Sequence, residues 1–286
     1  MLDAAIGLVA ASILPAIVVV VVLMLFRQLS AARQVSYWSY PIAFAIAYCA
    51  GSVIVVRFNA WPTINSDWAG VPLRNWQWMF YLAPLAALSG VIATSTQVPK
   101  VGRWIVTLIA CIASAWFLTA TRSITLPRAL CVAQLSIYFI VLIAILESLA
   151  TRIFPASYLT LLALSAAALA AMVSYYASQT HGQLVAAASA SLAACAAAVC
   201  IFKQIAPPRG IAVPFAIVIG GWAAVEAIAY DDLAVLLNLP AAPLIVWFIL
   251  RPLDRLHSTT AFTLQVISVL LVAVLTAVQL RLLVGN

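Results

Sequence analysis

Residues 5–26 read AIGLVAASILPAIVVVVVLMLF, a run of 22 residues without one ionisable side chain. A bilayer's hydrocarbon core is about 30 Å thick and a helix rises about 1.5 Å per residue, so about 20 apolar residues reach across it. The same ruler laid along the rest of the chain finds nine more such stretches, near residues 38–56, 77–95, 104–121, 129–149, 156–177, 183–202, 211–229, 233–250 and 261–283. They are continuous apolar runs rather than short alternating ones, which excludes a transmembrane β-barrel in practice. In hydrocarbon the backbone must close its own hydrogen bonds, and a helix does so within one segment. The expected fold is therefore all-α: a polytopic transmembrane helical bundle of about ten spans with short loops, residues 1–286 forming a single domain with no soluble part.

Composition supports this. Of the 286 residues 66% are hydrophobic and only 7% charged, against about one quarter charged in soluble domains. The first span has the flank Met1-Leu2-Asp3 with no basic residue ahead of it and is too long for the apolar region of a signal peptide, so it is expected to stay in the mature chain. The ninth span contains Pro240 and Pro243 and reads as a full crossing, a broken helix or a re-entrant segment. A five-plus-five internal repeat is not visible from loop charge, proline position or spacing.

Lysine and arginine set the orientation. Loops after odd-numbered spans hold Arg27, Arg33, Lys100, Arg103, Arg152, Lys203, Arg209, Arg251 and Arg255, and the other side holds Arg57, Arg74, Arg122, Arg128 and Arg281. Nine against five in short loops places the odd loops in the cytoplasm and both termini outside. The net charge of +7 then gathers at the cytoplasmic edge, where the partner it calls for is membrane lipid with anionic headgroups, not nucleic acid.

Motifs for soluble-style catalysis are missing. The five cysteines, Cys49, Cys111, Cys131, Cys195 and Cys200, lie inside or at the ends of apolar spans and read as small filler rather than a disulfide framework or metal site. The two histidines, His181 and His257, fall in predicted loops, and there is no HExxH, nucleophile triad or glycine-rich phosphate loop. No catalytic residue, metal or cofactor is expected.

Ionisable groups inside the membrane are costly and mark pairs, pathways or sites. Glu147 lies near the cytoplasmic end of the fifth span, able to snorkel to the interface or pair with Arg152. Glu226 lies one turn inside the outer end of the eighth, followed by Tyr230, Asp231 and Asp232. One reading makes this cluster an outward-facing cation or amine site, or a carboxylate perturbed by burial and like charge. The other makes Asp231 or Asp232 the N-cap of the ninth helix and Glu226 the partner of an outer arginine such as Arg57, Arg74 or Arg122. A second outer feature is the connection from Arg57 to Trp78, with Trp61, Trp68, Trp76 and Trp78. It lies along the membrane interface, or forms a lid whose indoles bind a sugar, a headgroup or a partner protein. The candidate ligand-binding set is Glu226, Tyr230, Asp231 and Asp232 together with Asp67, Trp68, Arg74 and Arg122.

The sixth and seventh spans carry small residues at four-residue spacing: Ala166 and Ala170 on one, and Ala187, Ser191, Cys195 and Ala190, Ala194, Ala198 on the other. Such ridges let helices approach closely where lipid provides no hydrophobic drive. They predict a tight hairpin turning at residues 179–182, with His181 a solvated turn residue.

Three segments carry a family likeness: Trp61-Pro62 to Asp67-Trp68 running into Trp78-Met79-Phe80-Tyr81-Leu82-Ala83, His181-Gly182-Gln183-Leu184 leading an alanine-rich helix, and Tyr230-Asp231-Asp232-Leu233 ahead of Pro240-Ala241-Ala242-Pro243. Together they resemble uncharacterised multi-span bacterial inner-membrane proteins, which implies that location and no activity. In length and span count the chain also resembles the compact drug/metabolite exporters, departing from them in its outward termini and missing repeat. Function then falls among a small-solute or lipid-related transporter, a non-catalytic scaffold subunit of a larger membrane assembly or a homo-oligomer, and a membrane enzyme acting on lipid-linked substrates. With an even number of spans the two termini share a side, and reporter fusions to each terminus should both read periplasmic; a cytoplasmic C-terminus with a periplasmic N-terminus means one span does not cross.

Overall fold

The structure, a computed structural model, describes residues 2–29, 38–56, 75–119, 127–202, 208–253 and 258–284. Within them are ten α-helices and no strand: α1 (Leu2–Leu29), α2 (Ser39–Val55), α3 (Met79–Thr94), α4 (Lys100–Leu118), α5 (Arg128–Ala150), α6 (Pro155–Tyr176), α7 (Gln179–Ile201), α8 (Ala212–Ala229), α9 (Asn238–Leu253) and α10 (Ser258–Val284). Short 3₁₀ segments precede α3 (Asn75–Trp78) and α9 (Asp231–Leu237). Each expected span meets a helix. Among the described residues eight segments are long and apolar enough to cross a bilayer, whereas α2, at 17 residues, and the segment around α9 are shorter. This is a multi-pass, membrane-type helical bundle.

Contacts between helix ends establish that α1 to α8 alternate in direction. At one end the Arg27 guanidinium of α1 lies 5.3 Å from the ring centre of Phe202, just past α7. At that end too, Glu147 near the close of α5 accepts the backbone N–H of Gly210 ahead of α8 at 3.1 Å. At the other end Trp78 before α3 stacks on Phe117 of α4, and Arg128 opening α5 lies 4.0 Å over Trp116. Arg27, Lys100, Arg103, Arg152 and Arg209 thus belong to one end, the basic end. Glu147 takes its hydrogen bond from the Gly210 amide, a partner absent from the sequence reading. Gly210 sits at φ +82°, a left-handed turn where a side chain is strained.

Helix α8 forms the centre. Every residue from Ala212 to Glu226 is buried, and α8 touches α2 to α7 and α9. A helix apolar on all sides has no face to offer water and goes to the middle of a bundle. One hydrophobic cluster runs from Val19 and Leu23 of α1 through all ten helices to Leu280 of α10. The outer surface carries large exposed side chains such as Ile17, Ile105, Ile109, Trp116, Ile137, Leu271 and Val274. Apolar residues pointing both in and out are what a lipid solvent permits.

The ninth segment resolves as a broken helix. Its 3₁₀ part, Asp231–Leu237, covers about 14 Å at roughly 2 Å per residue, and α9, with 16 residues, covers about 24 Å. Together they are long enough for a 30 Å core. The break falls at mid-depth, against the middles of α5 and α6: the Tyr138 hydroxyl donates to the Leu237 carbonyl at 2.9 Å, and the Ser165 hydroxyl donates to that of Leu239. Pro243 has no N–H to offer the carbonyl four residues back, Leu239; Ser165 replaces that donor. Asp231 and Asp232 open the 3₁₀ segment, with Tyr230 as its N-cap, so neither caps α9, which starts at Asn238.

Helices α6 and α7 do form the most extensive pair in the described residues, but the ridge through Ser191 is not what joins them. The α6 contact uses Ser189, whose hydroxyl donates to the Ala163 carbonyl at 2.9 Å, and Gly182, where a Cβ would stand 2.8 Å from the Ala170 carbonyl oxygen. Ala187 lies on another face, against Gly51 of α2, a helix that α7 also contacts more widely. Residues 187, 191 and 195 share a face at helical spacing, so this ridge serves α2. Ser191 is fully buried and its hydroxyl is satisfied by the Ala187 carbonyl at 2.8 Å. Ser191→Leu should overpack that face and cost about 1–3 kcal/mol, read as a lower unfolding temperature in detergent with the helical content kept.

Candidate functional site

The end opposite the basic one holds a buried acid–imidazole pair. Ser178 closes the α6–α7 turn in an extended conformation and caps α7, its hydroxyl accepting the His181 N–H at 3.5 Å, the position a serine N-cap serves best. That cap makes His181 the third residue of α7 rather than a solvated turn residue. Its ring reaches α8, where Nδ1 lies 2.6 Å from Oε1 of Glu226. Glu226 is 1% exposed and His181 22%. The partner of Glu226 is therefore a histidine on the neighbouring helix and not an outer arginine.

Neither a carboxylate oxygen nor an unprotonated ring nitrogen can donate, so a contact this short holds a proton between them. A lone carboxylate at this depth would cost several kcal/mol in desolvation; the imidazole offsets that. The two side chains carry their charge as one pair. With the shared proton alone its charge is −1, and a second proton on the far ring nitrogen makes it neutral.

Aromatic rings fix the imidazole. Trp222, one turn before Glu226 on α8, lies 5.2 Å from the His181 ring centre on one side, and Trp76 of the 3₁₀ turn before α3 lies 5.7 Å away on another. Trp222 is itself pinned, its indole N–H donating to the buried Tyr48 hydroxyl of α2 at 3.0 Å. The His181 ring is thus located by α2, α3, α7 and α8 together. Residues Trp76, Ser178, His181, Val225, Glu226, Ala229 and Tyr230 line a cavity of about 200 Å³. Tyr230, half exposed, stands at its mouth. The volume equals roughly six or seven waters at about 30 Å³ each and falls below the range of about 300–1,000 Å³ for drug-sized ligands.

Of the sequence candidates, Glu226 and Tyr230 meet in this cavity. Asp231 and Asp232 follow directly on the backbone, their side chains lying outside the described residues, as do Asp67, Trp68, Arg74 and Arg122 altogether. The sequence reading missed His181 and Trp222. Their signals were present: Trp222 precedes Glu226 by four residues, and His181 opens a helix at the same end of the bundle. Among the described residues no three His, Cys, Asp or Glu side chains gather as a metal site, and the five cysteines are free thiols.

Removing the imidazole should strand a buried carboxylate. His181→Ala is expected to cost about 3 kcal/mol, measured by thermal unfolding in detergent. Adding Glu226→Gln to the same chain should restore much of the loss, since no charge then remains buried.

No protein-family model, curated protein or solved structure matches this chain, so the site is read from its own geometry.

Proposed function

We propose that this protein is a proton-linked transporter of a small organic cation, an amine of a few carbon atoms, in a bacterial inner membrane with both termini periplasmic. The observation that carries the reading is the Glu226 carboxylate, buried, holding a proton against His181 and lining a small aromatic cavity. A carboxylate gives an ammonium its countercharge, and the faces of Trp76 and Tyr230 add cation–π attraction of about 0.5–2 kcal/mol. The cavity volume selects small amines over bulky lipophilic cations.

The charge of the pair links proton and solute. An ammonium that enters as the second proton leaves keeps the buried charge unchanged, so exchange avoids the desolvation cost that either uncompensated state carries. An interrupted helix adjoins the site: the 3₁₀ segment after Tyr230 packs on α8 and α10 and ends at the mid-depth break before α9. Interrupted helices are the usual neighbours of substrate and ion sites in secondary transporters. A scaffold subunit would gain nothing from a carboxylate turned into a cavity. The basic end, with Arg27, Lys100, Arg103, Arg152 and Arg209, supports a cytoplasmic placement opposite the pair.

The test uses proteoliposomes with an imposed pH gradient and labelled methylammonium, ethanolamine, choline and putrescine as probes. At least one should accumulate against its own gradient when the pH difference is present, and Glu226→Gln should abolish both uptake and binding while the purified variant stays folded. His181→Asn should bind the same probe yet lose the response to the pH gradient. Transport by Glu226→Gln at the parent rate, or failure of the parent to bind or move any of the four, overturns the proposal.

A further inference from the structure

The basic end of the bundle carries a second, differently built hollow. Helix α4 starts at Lys100 after Pro99, which offers no side-chain cap; the Arg103 amide donates to the Pro99 carbonyl at 3.1 Å, while those of Lys100, Val101 and Gly102 have no partner within the helix and stand at the positive end of its dipole. Lys100 and Arg103 occupy that same first turn. Two cations there oppose the dipole, an arrangement that stabilises nothing unless an anion sits with them. The Arg103 Nε is buried and has no hydrogen-bond partner among the described residues.

Two connected spaces meet at this point. A cavity of about 220 Å³ is lined by the charged Lys100, Arg103 and Glu147 together with Thr107, Trp104 and the apolar Ala93, Ile143 and Val213. A groove of about 390 Å³ with nearly all-apolar walls runs from it along α4 and α5, past Trp104, Ile105, Leu108 and Ile140. Lys100 and Trp104 belong to both. From Lys100 to Leu108 the groove follows about 12 Å of helix, most of the roughly 15 Å depth of one leaflet. Glu147 is already engaged by the Gly210 amide and has Arg209 within electrostatic reach, so Lys100 and Arg103 leave the cavity with an excess of positive charge.

We infer that this hollow binds one anionic glycerophospholipid, its phosphate against Lys100, Arg103 and the α4 amides and one acyl chain along Ile105, Leu108 and Ile140. A charged head joined to an apolar tail fits two adjoining spaces, the first carrying the cations and the second apolar. The indole of Trp104 stands at their junction, at the headgroup depth that tryptophan prefers. The site is separate from the His181–Glu226 pair, which lies at the opposite end.

The experiment is native mass spectrometry of the detergent-purified full chain, delipidated and then titrated with phosphatidylglycerol or phosphatidylcholine of identical acyl chains, with thermal unfolding measured in parallel. Phosphatidylglycerol should occupy one site with about tenfold preference, because the quaternary ammonium of phosphatidylcholine offsets its phosphate charge and is repelled by Lys100 and Arg103, and should raise the unfolding temperature. Lys100→Gln with Arg103→Gln should erase the preference. Ile105→Trp, which fills the groove at an exposed position and keeps both cations, should lower occupancy by either lipid. Equal binding of the two lipids, or a preference that survives the double variant, overturns the inference. So does equal protection by glycerol phosphate alone, which would make this a site for a soluble anion.

Discussion

Inside a bilayer no water completes an unmade hydrogen bond, and that constraint organises this molecule. Ten helices satisfy most of the backbone within themselves. Where Pro243 forbids it, the bundle supplies a hydroxyl: Ser165 of α6 reaches the Leu239 carbonyl; two residues earlier, at the break, Tyr138 of α5 reaches that of Leu237. The same constraint acts on side chains. Glu226 is tolerated at 1% exposure because His181 brings a proton to it, and the Trp222 indole because Tyr48 accepts from it. Each of these four groups is matched by a partner from a different helix, which ties α2, α5, α6, α7, α8 and α9 to one arrangement.

The central position of α8 follows from its composition and carries the site with it. A helix with no polar face until Glu226 is enclosed by its neighbours, so its last turn emerges at one end of the bundle ringed by the starts of α3 and α7. That ring is where Trp76 and His181 stand. The first turn of α8 emerges at the other end, beside the close of α5 and the uncapped start of α4. The two hollows therefore share a spine but differ in chemistry: one presents a carboxylate with an imidazole under aromatic rings, the other guanidinium and ammonium beside an apolar groove. Opposite charge at opposite ends suits a protein whose two faces meet different surroundings.

Length and apolarity made all ten helices legible, to within a few residues at most ends, because a bilayer imposes one dimension on every span. The prolines at 240 and 243 made the weakness of the ninth span legible too, since proline removes a donor wherever it falls. The small residues at four-residue spacing on α7 were read correctly as a packing face, but the partner was misassigned. Spacing says that Ala187, Ser191 and Cys195 lie in line; which neighbour they meet depends on how α7 is rotated in the bundle, and Gly51 of α2 answers that.

At the site, the sequence by itself singled out Glu226, because one carboxylate within an apolar run is expensive in any arrangement, and Tyr230 by its place one turn on. It also determined the excess of cations on one set of loops. Only the tertiary structure decided that the partner is His181, 45 positions away, and that Trp76 and Trp222 hold its ring. A countercharge is selected by distance in space, and helix order along a chain does not specify which helices lie side by side. The cost of burying a group is written in one residue; what offsets that cost is written in the packing.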